Sequence, residues 1–165
     1  MTGIPIVLRA LHDGERGLER DLLAAADRHS VEHEFHHVAT DISRWSREHA
    51  VRIARAAEPY GLDLPGPADH PEPGLPLATE RDTVSEALGR WRAPGLLLLR
   101  DLRDLHLAAT ENSLNWEMLA QVAQATSDDG LLRLAADCHP ETLRQMRWTN
   151  TMIKVLSPQL LASAL

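Results

Sequence analysis

The sequence has a single cysteine, Cys138, among 165 residues, so no disulfide can form within the chain. It also lacks a long apolar run, because the stretch Leu96–Leu99 is followed at once by Arg100 and Asp101 and is too short to span a membrane. The apolar segment Ile4–Leu8 is too short for a signal peptide. These absences predict a protein of the reducing cytoplasm.

Aromatic residues are scarce, at 4% of the chain, and Lys154 is the only lysine. The preference for arginine over lysine indicates the codon usage of a GC-rich bacterial genome. The formal net charge is −7 and no long basic patch is visible, which argues against binding to nucleic acid or to an anionic membrane. β-Branched residues are sparse while Ala, Leu, Arg and Glu dominate, and this composition predicts an all-α protein.

The length and the 44% of hydrophobic residues fit one globular domain, residues 1–165. Apolar residues recur with helical periodicity in four long segments, namely 5–28, 30–58, 94–126 and 131–156. Ser30 is the expected N-cap of the second helix, and Asp128 or Asp129 that of the fourth. Pro158 is expected to end the fourth helix.

Prolines and glycines interrupt the helical pattern over residues 59–78, which predicts a long crossover loop, and a short helix is expected over 79–91. The first two helices are separated by only a residue or two, so they must form a hairpin, and the last two are also closely spaced. The predicted fold is therefore an antiparallel four-helix bundle of two helical hairpins joined by a Pro-rich crossover.

Polar residues on the apolar faces of these helices are the candidates for function. On a helical wheel, Glu15 and His49 each fall where a core residue belongs, as does Asn112 on the third helix. Glu141 and Gln145 lie on the mixed apolar face of the fourth helix. A buried carboxylate is costly unless it is paired, protonated or bound to a cation.

Turn positions predict which of these residues are neighbours. A first turn centred near residue 29 places Glu15 opposite residues 43–45, and places His49 close to the level of His12. A second turn centred near residue 128 places Glu117 level with residues 139–141. Polar groups are therefore expected to meet across both hairpins.

Each candidate also has a purely structural interpretation. Glu15 can pair with an arginine of another helix, and the candidates are Arg52, Arg144 and Arg147. His49 can be a hydrogen-bonded core histidine, and the helix dipole can favour Glu141 in the first turn after a proline. Asn112 and Gln145 are expected to hydrogen-bond each other and to fix the helix register.

The second predicted helix carries one Glu-x-x-His motif, Glu34 to His37, whereas the fourth has Arg144 three residues after Glu141. Ferritin-like diiron proteins place a Glu on each of two helices and a Glu-x-x-His on each of the other two. The chain resembles this superfamily in its architecture. The resemblance implies a non-haem iron or manganese ion between the helices, with ligands drawn from Glu15, Glu34, His37, His49, Glu117 and Glu141.

Histidine spacing also resembles that of hemerythrin-like bundles, which use His-x3-His and His-x4-acid pairs. The residues with this spacing, together with a histidine on the first helix, are His29, His33, His37, His106, Glu111 and His12. This second resemblance implies a non-haem iron site as well.

The leading hypothesis is thus a ferritin-like bundle that binds iron or manganese, without an assigned reaction. The alternative is a metal-free interaction or scaffold bundle that self-associates as a homodimer through an exposed apolar face, including Trp91 or Trp148. A bundle that binds a small hydrophobic ligand is a third interpretation.

Overall fold

The computed structural model describes residues 2–67 and 93–163, and in these ranges it is helical without strands. The four long helices are α1 (Ile4–Arg28), α2 (His33–Ala57), α3 (Pro94–Ala125) and α4 (Asp129–Ala162), and a single 3-10 turn (Glu58–Tyr60) follows α2. The prediction of an all-α fold with four long helices is confirmed. None of the helices within these ranges is long and apolar enough to cross a membrane.

Of the two N-caps predicted from the sequence, one is wrong and the other is confirmed. Ser30 is not the N-cap of α2, because α2 begins only at His33. Residues 29–32 form a turn in which the Glu32 N–H donates to the His29 carbonyl at 2.9 Å. Asp128 does cap α4, since its Oδ1 accepts from the Leu131 N–H at 3.0 Å.

The expectation that Pro158 ends the fourth helix is wrong, because α4 continues through it to Ala162. A proline removes its own N–H from the helical ladder and crowds the carbonyl four residues earlier, so the turns after it need tertiary packing to hold them. Leu160 supplies such a contact: a Cβ added at Gly95 of α3 would lie 2.6 Å from the Leu160 Cδ2. The last turn of α4 is therefore held against the first turn of α3.

Each long helix packs against two others: α1 contacts α2 and α3, and α4 contacts α3 and α2. This is consistent with a helical bundle.

The core consists of two apolar clusters. The first apolar cluster joins the start of α1 to the end of α2 and the end of α3 to the start of α4, and includes Leu8, Leu11, Ile53, Ala57, Trp116, Leu119, Leu131 and Leu134. The second apolar cluster joins the opposite ends, and includes Leu18, Leu22, Phe35, Ala39, Ile42, Leu102, Leu105 and Ala109.

The segment after α2 lies against the first apolar cluster. Leu64 is buried in that cluster, and the Pro65 carbonyl is 2.9 Å from the His12 Nε2. The Tyr60 hydroxyl donates to the Asp128 carboxylate, which joins this segment to the start of α4. Of the crossover predicted over 59–78, residues 59 and 60 lie in the 3-10 turn and residues 61–67 form no helix, while residues 68–78 and the expected helix over 79–91 lie outside the described residues.

Gly14 of α1 lies against the Asn112 side chain of α3 with no room for a Cβ, which gives a test of the packing. A Cβ at this position would lie 2.1 Å from the Oδ1 of the buried Asn112. Although alanine is normally better than glycine in a helix by about 1 kcal/mol, we expect Gly14→Ala to lower the free energy of unfolding by about 1–3 kcal/mol through overpacking. Urea denaturation measures this.

Gly17 is the matched control for this substitution. It lies one turn further along α1, and a Cβ there would meet only the flexible end of Arg20, at 3.6 Å. Gly17→Ala is expected to stabilise the protein. The double variant Gly14→Ala/Asn112→Ala should recover most of the loss caused by Gly14→Ala, and strict additivity of the two substitutions would contradict the proposed collision.

Candidate functional site

A layer of buried polar side chains separates the two apolar clusters. On each helix the polar positions fall between the last residue of one cluster and the first of the other. We call this the polar layer, and its members are Glu15 from α1, Ser46 and His49 from α2, Asn112 from α3, and Thr142 and Gln145 from α4. All six have side chains exposed by 1% or less.

Three ionisable side chains from three helices form a chain of contacts at this level. The Nδ1 of His49 lies 3.2 Å from the Oε1 of Glu15, an ion-pair distance without the direction of a good hydrogen bond. On the other side of the ring, the Nε2 of His49 lies 3.1 Å from the Oε1 of Glu141. The side chain of Glu141 is 26% exposed while Glu15 is fully buried. The contacts therefore lead from the surface to the interior.

The carboxylate of Glu15 is held mainly through one of its two oxygens. The Trp116 indole N–H donates to Oε1 at 3.0 Å, and the Thr142 hydroxyl is a longer donor to the same atom, at 3.5 Å. The other oxygen, Oε2, is buried and has no hydrogen-bond partner among the described residues. Unpartnered polar atoms are rare in native interiors, and a bound ion is one of the explanations for them.

The charges explain why His49 is the centre of this site. Burial alone lowers its pKa, but the contacts with Glu15 and then Glu141 outweigh burial and raise the pKa above the usual value of 6.5. An imidazolium between two carboxylates leaves the group with one negative charge in excess. The electrostatics of the site therefore favour a further positive charge.

Cys138 lies one turn before Thr142 and is fully buried. Burial raises the pKa of its thiol to about 12, so the thiol is neutral.

The neutral members of the polar layer do not pair as expected. The hydrogen bond predicted between Asn112 and Gln145 is wrong, because the Gln145 side-chain N–H group donates to the Ile42 carbonyl at 3.0 Å and to the Ser46 hydroxyl at 2.9 Å. The Nδ2 of Asn112 and the Oε1 of Gln145 are buried without a hydrogen-bond partner in the described part of the chain. The polar layer thus holds one amide donor and one amide acceptor without partners among the described residues.

The arginine pairing considered for Glu15 is not found among the described contacts. Arg52 donates to Asp137 at 2.7 Å instead, and Arg144 and Arg147 are exposed. The compensation for the buried carboxylate of Glu15 comes from His49 and from neutral donors.

The remaining candidates of the ferritin-like set lie at the surface. Glu34 and His37 are exposed in the first turns of α2. Glu117 is also exposed, and its Oε1 lies 3.8 Å from the His139 Nδ1. The structure therefore brings together Glu15, His49 and Glu141 of the six, but leaves the Glu-x-x-His pair and Glu117 outside the polar layer.

The hemerythrin-like histidines do not share one site either. His29 contacts the buried Asp101 at 2.6 Å, and the Nδ1 of His106 is 2.8 Å from the Thr149 hydroxyl oxygen. His33 and Glu111 are exposed. These side chains have separate structural partners.

Sequence reasoning missed Trp116 and Thr142 as partners of Glu15. It also placed Glu15 and His49 at different levels and so did not predict their contact. The turn between α1 and α2 is centred between Ser30 and Val31, so Glu15 is level with Ser46 rather than with His49. Helical side chains point back towards the N-terminus of their own helix. Early residues of α1 lie beside late residues of α2, so the N-terminal directions of the two helices are opposite. The side chains of Glu15 and His49 therefore lean towards each other and close an axial gap of about 4.5 Å.

In residues 2–67 and 93–163, no group of three or more histidine, cysteine, aspartate or glutamate side chains is arranged to hold one metal ion. The reason is visible in the contacts, because the His49 ring stands between its two carboxylates and uses a different nitrogen for each. The chain matches no protein-family model, no curated protein and no solved structure.

The raised pKa of His49 predicts how stability depends on pH. A group whose pKa is higher in the folded state stabilises the protein below its unfolded pKa, here about 6.5, and this contribution is lost as the pH rises through the folded pKa. We expect the free energy of unfolding to fall as the pH rises above about 6.5. His49→Gln should remove this slope and should cost about 3–5 kcal/mol near neutral pH, since it breaks a buried pair.

Urea titrations between pH 6 and 9 measure the slope in metal-free protein. The exposed His33 provides the control, because His33→Gln leaves the buried contacts in place. A slope that persists in His49→Gln would show that other groups cause it.

Proposed function

We propose that the protein binds one divalent transition-metal ion, iron or manganese, in the polar layer of an antiparallel, ferritin-like four-helix bundle. The observation that carries the proposal is the fully buried, unpartnered Oε2 of Glu15 beside the imidazole of His49. A carboxylate oxygen and an imidazole nitrogen are ligands that iron and manganese accept.

Charge balance supports a divalent ion in particular. The site holds two carboxylates, Glu15 and Glu141, and its histidine can be neutral or protonated. A divalent cation with a neutral imidazole balances both carboxylates, whereas a proton on His49 balances only one. The ion therefore replaces that proton and supplies the missing charge.

The positions of the polar layer also support the ferritin-like resemblance. Ser46 with His49 and Thr142 with Gln145 have the i, i+3 spacing of the Glu-x-x-His motif, and Glu15 and Asn112 provide one position on each of the other helices. The diiron residues themselves are mostly replaced by neutral ones. Two carboxylates are too few for two irons, so we propose a single ion.

Each residue has a separate part in the proposed binding. The Trp116 N–H donates to the Oε1 of Glu15 and so leaves Oε2 free to act as a metal ligand. One ring nitrogen of His49 is the second metal ligand. Glu141 is partly exposed and must turn away from its present contact to reach the same ion. A bound iron or manganese ion would supply Lewis acidity and one-electron redox chemistry.

Titration of metal-free protein with Mn(II) under isothermal calorimetry tests the proposal. We expect about one ion per chain, because the polar layer has a single carboxylate with a free buried oxygen. Glu15→Gln and His49→Gln should each weaken binding by more than about tenfold, while far-UV circular dichroism reports whether the helices remain.

The exposed motif provides the matched control for these substitutions. The double variant Glu34→Gln/His37→Gln removes two potential ligands of the same types without touching the polar layer. It should bind Mn(II) as the unchanged protein does. Failure to bind Mn(II) or Fe(II), or loss of binding in the Glu34/His37 variant alone, would overturn the proposed site.

A further inference from the structure

The outer side of α3 carries an apolar stripe that faces away from the core. Leu107, Leu114 and Met118 are 55%, 61% and 51% exposed. At 100° per residue they fall within about 40° of one another and on the side of the helix opposite to Ala109 and Trp116. Three large apolar side chains aligned in this way differ from singly scattered surface residues, and they indicate an interaction surface.

Two charged residues of opposite sign, Arg103 and Glu117, lie on one flank of this stripe, while Asp104 and Glu111 lie on its other flank. Arg103 is exposed near the start of α3, and Glu111 and Glu117 are exposed further along it. Arg103 and Glu117 lie on the same flank of the stripe, within about 40° on the helical wheel. The flank that carries Arg103 and Glu117 is complementary to the same flank of a second copy that runs in the opposite direction.

The spacing of these residues fits a single twofold axis. The midpoint between Arg103 and Glu117 is Thr110, and the midpoint between Leu107 and Leu114 is only half a residue further on. A twofold axis at Thr110 therefore places Leu107 of each copy beside Leu114 of the other. The same axis places Arg103 of each copy beside Glu117 of the other. Such an isologous contact uses the same surface on both copies.

The neighbouring helix extends the surface. Ser113 and His139 join α3 to α4 through a contact of 2.8 Å between the hydroxyl oxygen and Nε2. Leu143 lies one turn after His139 on α4 and is 42% exposed. Trp148, by contrast, is half-buried and its ring centroid lies 5.5 Å from that of Phe35, so it is not part of this surface.

We propose that this face of α3 is the interface of a homodimer, in which the α3 helices of two copies pack antiparallel about a twofold axis at Thr110. Leu107 of each copy packs on Leu114 of the other, and Arg103 of each copy pairs with Glu117 of the other. The inference does not depend on metal binding, because these side chains lie outside the polar layer.

Charge reversal in the full-length protein tests both the surface and its symmetry. In Arg103→Glu every interface would place two glutamates together, and in Glu117→Arg it would place two arginines together, so we expect each variant to dimerise at least about tenfold more weakly. An equimolar mixture of the two variants restores both opposite-charge pairs. Sedimentation equilibrium of each variant and of the mixture measures this.

Two further variants separate the surface from general effects on folding. Leu114→Glu should give monomers, while Ile6→Glu, which places the same charge on an exposed apolar residue of α1, should leave the dimer intact. Far-UV circular dichroism checks that all variants keep their helices. A monomeric unchanged protein, or a mixture of charge variants that stays monomeric, would overturn the proposal.

Discussion

The arrangement of the interior depends on burying the carboxylate of Glu15, which has no access to solvent. Removing an ionised carboxylate from water costs several kcal/mol unless nearby groups offset it. Here the offset comes from an imidazole on α2, an indole N–H on α3 and a hydroxyl on α4. A single side chain of α1 therefore requires a partner from each of the other three helices.

This requirement also fixes how the helices are aligned along their length. A shift of one turn in any helix would bring an apolar residue of one cluster to the level of Glu15 and leave the carboxylate uncompensated. The close approach of Gly14 to Asn112 adds a steric constraint between α1 and α3 at the same level. The contacts of Glu15 and the fit of Asn112 against Gly14 thus both fix the helix alignment in the middle of the bundle. The two apolar clusters on either side supply most of the buried apolar surface.

The two proposals assign different faces of α3 to different tasks. Its inner face contributes Asn112 to the polar layer and the Trp116 indole that donates to Glu15, and its outer face carries the leucines and charges of the proposed dimer. The residues of the two faces alternate along the same helix. A dimer would therefore support α3 at the level where the Trp116 indole donates to Glu15 in the proposed metal site. Rigid support of this kind is what a buried site requires for a well-defined geometry.

The sequence alone determined the four helices, since apolar periodicity and composition suffice to predict segments of this length. It also singled out Glu15 and His49, because a charged or titratable residue on an apolar face is visible on a helical wheel. The surface position of Glu34 and His37 shows the limit of motif spacing, which fixes distances along a helix but not which side faces the core.

Only the tertiary structure decided which polar residues meet. The partners of Glu15 are 34 to 127 residues away in the sequence, and Trp116 and Thr142 have no local pattern that marks them as donors to a carboxylate. Their meeting depends on where each turn is centred and on the direction in which each side chain leans. A change of one or two residues in a turn alters these levels by a few ångströms, which is the difference between a contact and none.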